Sequence, residues 1–357
     1  MKKLCFAIPT WNRAKKLEKC ILSIANQILE LGEQNNIGIF VSDNASTDDT
    51  PKVLSKLKKK FPFLEYTRLN KHVDTADSGE IAYRLAQGEY LWIFGDDDIL
   101  LKDGLKAVWH ILNTKNAHLI HAGNGFLTPH SYKIYEGSVL EFANKMGFNQ
   151  FIGWATSIII KKDILIQYMS LPQYPKYKES AYTHVLGILH VASNSPAVVL
   201  DFPICQPIEP QTSEDVKRWA LNNIFWRTIL TIKGFKILFD LGILKEKVNP
   251  MFFKYDRFYF WDRCIFYMIN SHLTGCPFPD EGWDLILSIS DMIDNEEMAE
   301  IIKNRVMESR EQCETLKKIN MQIKEIQNTL NEMLKEHSRK IFEWGGWWKE
   351  AQQGEQT

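Results

Sequence analysis

The feature that most restricts the fold is an alternation in the first hundred residues. Four short apolar runs recur there: Leu4–Ile8, Ile37–Val41, Leu64–Leu69 and Tyr90–Phe94. Between them lie segments with helical spacing. Ala14–Leu31 places Leu17, Ile21, Ile24, Ala25 and Ile28 three and four residues apart, a second helix follows Thr50-Pro51 to about Lys60, and a third covers Thr75–Gln87. Short apolar runs of this length are buried strands, and the spacing of three and four marks a helix with one apolar face. Strands alternating with helices predict an α/β fold, a mostly parallel sheet flanked by helices. In such sheets the loops after the strands share one edge, where ligands bind. Ala117–Ala122 and Thr156–Ile160 read as further strands.

Composition narrows the class. A chain of 357 residues predicts two domains, and a net charge of −1 with 24% charged residues predicts no nucleic-acid partner. Cys5, Cys20, Cys205, Cys264, Cys276 and Cys313 are scattered, which argues against zinc and against a disulfide framework. A reducing, cytoplasmic setting is expected. Met1-Lys2-Lys3 leads into only six apolar residues before Thr10, too few for a signal peptide, and no apolar run reaches spanning length.

The loops after the strands carry the chemistry. Pro9-Thr10-Trp11-Asn12-Arg13 offers an amide and a guanidinium; Asp43-Asn44-Ala45-Ser46-Thr47-Asp48 offers carboxylates and hydroxyls; Gly95-Asp96-Asp97-Asp98 ends the Tyr90–Phe94 strand in three adjacent carboxylates. Like charges that close repel, and a hard cation such as Mg²⁺ or Mn²⁺, shared with substrate phosphates, relieves them. The alternative for the aspartates is an acidic loop capping a helix that begins near Lys102. For the second loop it is capping by Ser46, Thr47 or Asp48, which leaves Asp43 and Asn44 unexplained. Neither a G-x-G-x-x-G nor a G-x-x-x-x-G-K-[ST] cradle is present. The set suits a base, a ribose and a diphosphate held through a metal.

Taken in order, Phe6–Arg13, Val41–Thr50 and Gly88–Asp98 resemble the motifs of family-2 inverting glycosyltransferases of the GT-A fold, over roughly residues 1–205. The resemblance implies a donor-binding set of Pro9, Thr10, Asn12, Arg13, Asp43, Asn44, Ser46, Asp96 and Asp97, with Asp43 reading the base. It also implies that Asp96 and Asp98 hold a Mn²⁺ or Mg²⁺ ion on the donor diphosphate. Many relatives carry an acidic residue where this chain has Gly95. Phe151–Ser157 resembles the segment that family-2 enzymes place beneath donor sugar and acceptor, so Trp154 is a candidate acceptor platform; its alternative is a half-buried core tryptophan. An inverting transferase needs a general base, which the family supplies from a Glu-Asp pair. Here the pair is missing, and Glu179 or His184 is the candidate. The implied activity is transfer of a sugar from a nucleoside-diphosphate donor to a glycan or lipid-linked acceptor in surface polysaccharide or glycoconjugate synthesis. Two other readings remain: a sugar nucleotidyltransferase, against which the Pro9 loop lacks glycines, and a non-catalytic scaffold of the same fold.

These readings divide the chain into a GT-A domain over 1–210 (nucleotide-sugar half 1–100, acceptor half 101–210), a helical region over 211–312, and a heptad helix with a tryptophan-rich tail over 313–357. Pro207, Pro210 and Thr212-Ser213 mark the first boundary. Beyond it Trp219–Leu241, Phe252–Ile269, Trp283–Ile293 and Met298 onward read as helices. Leu316, Ile319, Ile323, Ile326, Leu330 and Met333 alternate spacings of three and four, a heptad seam suited to self-association. Trp344, Trp347 and Trp348 with nearby lysines suit peripheral contact with the inner face of a membrane, or a docked tail. Lys52, Lys56 and Lys58–Lys60 read as a solvated face.

Overall fold

The structure, a computed structural model, describes residues 1–125, 130–209, 223–244, 248–255, 258–274 and 276–354, with backbone alone at 320 and 337–354. The first four strands are β1 (Lys2–Thr10), β2 (Ile37–Asp43), β3 (Leu64–Arg68) and β4 (Gly88–Ile93). They alternate with α1 (Ala14–Leu31), α2 (Thr50–Lys60) and α3 (Thr75–Leu85) and pair in parallel in the order β3-β2-β1-β4. The second half of the sheet is mixed. It is built from β5 (Asp98–Leu100), β6 (Leu119–Asn124), β7 (Lys133–Ser138), β8 (Ile158–Lys161) and β9 (Pro196–Pro207), in the order β4-β8-β6-β9-β5 with β7 also on β9.

Alternation along the strands gives the sheet two apolar faces. Leu4, Phe6 and Ile8 of β1 point to the side covered by α1, α2 and α4 (Gly104–Thr114). Cys5 and Ala7 point to the other. That second face is covered by α3, α5 (Val139–Met146), α6 (Lys162–Tyr168), α7 (Tyr174–Tyr177) and α8 (Thr183–Ala192). The C-terminal helices α9 (Ile224–Asp240), α10 (Phe260–Leu273) and α11 (Glu281–Met292) join the same core, as does the start of α12 (Glu296–Gly354). Phe148 joins the two parts: its ring lies 5.6 Å from Tyr182, 4.8 Å from Phe235 and 5.1 Å from Phe260.

The structure departs from the sequence expectations at several points. The first strand continues through Pro9 to Thr10 instead of stopping at Ile8. Odd residues of β1 bond toward β4, as Phe94 N–H does to Ala7 O at 3.1 Å, and β4 pairing ends at Ile93. The N–H that proline lacks is therefore not missed on that side. Strand β7 was not foreseen because Lys133–Gly137 lies at the sheet edge and carries no apolar run, and β9 because Asp201 and Pro203 interrupt it. The C-terminal region is not all helix. In place of a helix from Phe252, a 3₁₀ turn (Pro250–Phe253) leads into a hairpin of β10 (Lys254–Tyr255) and β11 (Phe258–Tyr259). Residues 210–222, including Pro210, Thr212-Ser213 and Trp219, lie outside the described residues, as do the side chains of Trp344, Trp347 and Trp348.

Helix α12 leaves the body midway. Ile302, Val306 and Cys313 are buried against α10 and α11, whereas Ile319, Ile323, Ile326, Leu330 and Met333 are 45%, 45%, 60%, 52% and 62% exposed. Among the described residues the seam is exposed from Ile319 onward, while Leu316 at its start is half-buried. No helix among the described residues is long and apolar enough to cross a membrane.

Candidate active site

Register builds the site. Parallel pairing sets Thr10 opposite Asp43 and Asp43 opposite Arg68, so the ends of β1, β2 and β3 stand side by side. Extending the β1–β4 register from Ala7 and Ile93 brings Thr10 to Asp96, and the Thr10 hydroxyl donates to Asp96 at 2.7 Å. Arg13 closes the cluster: its Nη1 lies 2.9 Å from Asp96 and 2.6 Å from Asp97. The Thr156 hydroxyl donates to Asp98 and accepts from the Gly95 N–H at 2.8 Å. A Cβ at Gly95 would lie 2.5 Å from the Asp98 carboxylate and 3.1 Å from the Thr156 hydroxyl, so any side chain there would displace that hydrogen-bonded pair.

The three carboxylates differ in setting. Asp96 and Asp98 are buried, 6% and 4% exposed, while the Asp97 side chain is 35% exposed. Burial raises the pKa of Asp96, against the pull of Arg13, and lifts Asp98 to about 7, helped by the neighbouring Asp97 charge. One guanidinium among three carboxylates is too little positive charge. The residues fit an oxygen-seeking cation: Asp96 and Asp98, the expected pair, are buried against Thr10, Arg13 and Thr156, and Asp97, also paired with Arg13, is the most open of the three. Among the described residues no group of three or more His, Cys, Asp or Glu side chains is placed to hold a metal ion by itself. Such an open site suits an ion shared with substrate phosphates.

A prediction follows from the sign of the Asp98 shift. The folded protein retains a proton that the unfolded chain releases near pH 4, so stability is full below that pH and is lost as pH rises through about 7. In chelator, unfolding free energy should fall across that window by on the order of 4 kcal/mol at 1.36 kcal/mol per unit. Thermal melts against pH should show the fall in the wild type and a flatter profile in Asp98→Asn.

The second loop is more structural than expected. Asp43 is fully buried; Oδ1 accepts the Ser46 N–H at 2.9 Å, and Oδ2 has no hydrogen-bond donor, with Arg68 Nε 3.5 Å away. That oxygen, ion-paired with Arg68 but without a hydrogen-bond donor, is one that a base N–H would satisfy. Asn44 is occupied in pinning Val73, through Oδ1 and Nδ2 at 2.9 Å each. Ser46 accepts the Asn12 N–H at 2.9 Å, and Asn12 Oδ1 accepts the Thr47 N–H at 2.7 Å, tying the first two loops together. None of Ser46, Thr47 and Asp48 is the N-cap of α2, which is Asp49 without a side-chain cap bond; Asp48 accepts the Thr50 N–H at 3.0 Å in the turn just before the helix. Asn12 and Ala45 both have left-handed backbones, φ 53° and 57°, and for alanine this is strain of the kind concentrated at functional loops.

The proton-acceptor candidates separate. Glu179 is exposed and pairs with Lys176 at 3.0 Å, outside the cleft. His184 instead lines a cavity of about 230 Å³ beneath the acidic loop, with Pro9, Gly79, Glu80, Gly95 and Arg227. Its Nε2 lies 3.0 Å from the Ile152 carbonyl, which can only accept, so Nε2 carries the proton and Nδ1 is the ring's acceptor nitrogen; the Gly153 backbone also bears on the ring. Burial lowers its pKa to about 4, so the ring is neutral at pH 7. Trp154 is half-buried against the α1 side of the core. Sequence reasoning missed Arg68, Thr156, Glu80 and Arg227. Only Arg68 left a signal, as the last residue of a strand that ends on the ligand edge.

Comparison with known proteins agrees with this geometry. Residues 5–166 match the model of glycosyl transferase family 2. That segment, which carries all three loops, is similar to family 2 glycosyl transferases. The abequosyltransferase RfbV of Salmonella typhimurium is 36% identical over 115 residues, 31% of this chain and 33% of that protein. The GalNAc(5)-diNAcBac-PP-undecaprenol beta-1,3-glucosyltransferase of Campylobacter jejuni is 31% identical over 182 residues, 50% of this chain and 53% of that protein. The chain thus spans between a third and about half of the curated relatives it matches. The mannosyltransferase PcManGT from Pyrobaculum calidifontis, solved with GDP-Man and Mn²⁺, has a TM-score of 0.50 at 14% identity over 86% of each chain, a likeness of fold. The matched segment contains the Pro9–Arg13, Asp43–Asp48 and Gly95–Asp98 loops in that order.

Proposed function

We propose that this protein moves a sugar, with inversion, from a nucleoside-diphosphate donor to a glycan or lipid-linked acceptor. The observation that carries the reading is the convergence of Thr10, Arg13 and Asp96–Asp98 beside the unsatisfied Asp43 carboxylate on one sheet edge. Asp43 accepts from the base, and Asp97 and the adjacent carboxylates hold a Mn²⁺ or Mg²⁺ ion. Bound there, the ion offsets charge on the departing diphosphate. Arg13 orients the carboxylates, and His184 Nδ1 takes the acceptor proton. The test is a thermal-shift screen of nucleoside diphosphates with Mn²⁺, where a ligand at 100 times its Kd adds about 2.7 kcal/mol. No shift with any nucleotide would sink the reading. Asp43→Ala should then raise the donor KM more than it lowers kcat, because the base is remote from the reacting carbon.

The exposed seam supports a second part of the proposal, self-association through 316–333. Truncation before Glu314 should turn a dimer or higher oligomer into a monomer by light scattering, with donor hydrolysis kept. A full-length monomer would end that idea.

A further inference from the structure

A second, larger cavity of about 1030 Å³ lies between the β10–β11 hairpin, α10 and the start of α12. Its rim carries Phe258 and Phe266, 64% and 61% exposed. Arg263 is caged inside: its guanidinium carbon lies 4.2 Å from the centre of the Tyr255 ring and 5.4 Å from that of Tyr267, and its Nε donates to the Tyr267 hydroxyl at 2.6 Å. Among the described residues no carboxylate pairs with it. Asp262, the lining carboxylate, is already engaged by Arg305 and by the Tyr259 N–H at 3.3 Å. The buried Trp261 indole N–H, also in the lining, has no hydrogen-bond partner.

The basin thus holds a guanidinium with no carboxylate partner among the described residues, on an aromatic floor with an exposed apolar rim. A half-buried cation of this kind beside apolar surface favours an anion carried on hydrocarbon. The basin also adjoins the catalytic cleft. Ala181, Thr183 and Ile224 line the smaller cavity, and their neighbours Tyr182 and Phe225 touch the basin wall, Tyr182 through a hydroxyl contact of 3.4 Å to Tyr255 and Phe225 at 4.9 Å from Tyr267.

We propose that this basin binds the phosphate and first hydrocarbon units of a lipid-phosphate acceptor, so that its head group reaches the cleft. The inference rests on the transferase reading for its purpose but not for its test. The probe is farnesyl phosphate, titrated into the full chain by calorimetry, beside farnesol, inorganic phosphate, and phosphatidylcholine vesicles with and without phosphatidylglycerol. Farnesyl phosphate is expected to bind at least about tenfold more tightly than farnesol or inorganic phosphate, which asks for about 1.4 kcal/mol from the combined contacts. Arg263→Met and Phe266→Asp should each weaken it about tenfold or more, with nucleoside-diphosphate binding unchanged; the exposed Phe266 change keeps the test valid if Arg263→Met misfolds. Equal affinity in Phe266→Asp and wild type, or binding to anionic vesicles alone, overturns the proposal. Absence of nucleotide binding, with farnesyl phosphate still bound, would sink the transferase reading and leave this site standing.

Discussion

Asp97→Asn is expected to lower sugar transfer by about 10²–10³-fold while leaving the melting curve near that of the wild type. The substitution keeps the shape and removes one negative charge from the most open of the three carboxylates, which pairs with Arg13 at 2.6 Å. A loss of that size is typical when a group that steadies transition-state charge is removed. Because Asp97 is partly exposed and Arg13 retains Asp96, little folding energy depends on it. Steady-state kinetics with Mn²⁺, beside a thermal melt, separates the two effects. Wild-type turnover in Asp97→Asn, or in excess chelator, would remove the metal from the scheme.

The second large effect is expected at His184. His184→Ala should cut transfer to acceptor by about 10²-fold or more, with donor affinity nearly unchanged, as for loss of a general base. Glu179→Gln should stay within about twofold, since that carboxylate faces solvent beside Lys176. Sign matters for the pH profile. With a pKa near 4 the imidazole is already a free base at neutral pH, so its activity should hold level from pH 6 to 8 and decline only toward pH 4. Stability moves the same way: the depressed pKa contributes above about 6.5 and is lost as pH falls through about 4. A full-rate His184→Ala would shift attention to Glu80, the carboxylate that shares the cavity and accepts from Tyr174 at 2.9 Å.

The parallel half of the fold was legible because β1, β2 and β4 are buried on both faces and so read as plain apolar runs, and because each of the three ends in a loop of marked chemistry. The mixed half was not. Lys133–Ser138 is an edge strand whose pairing to β9 rests on backbone hydrogen bonds, which leave no trace in side-chain pattern. In the site, Asp43 and the aspartate run were visible as residue types, but their division of labour was not. That Asp98 turns inward and Asp97 outward depends on Thr156, 58 residues away in sequence. Glu179 was attractive only by position along the chain, and position cannot show that α7 turns it away from the cleft.

Phe148 has a consequence for how the molecule comes apart. Rings from the α8 segment, α9 and α10 meet on it, in one apolar cluster that also contains Ala7 of β1 and Ile93 of β4. Unfolding of the helices would bare the underside of the strands that carry the nucleotide loops, so heat should melt both in a single cooperative step. The prolines near 207 mark a change of pattern along the chain, and a cut there is expected to bare the apolar face that the strands share with the helices.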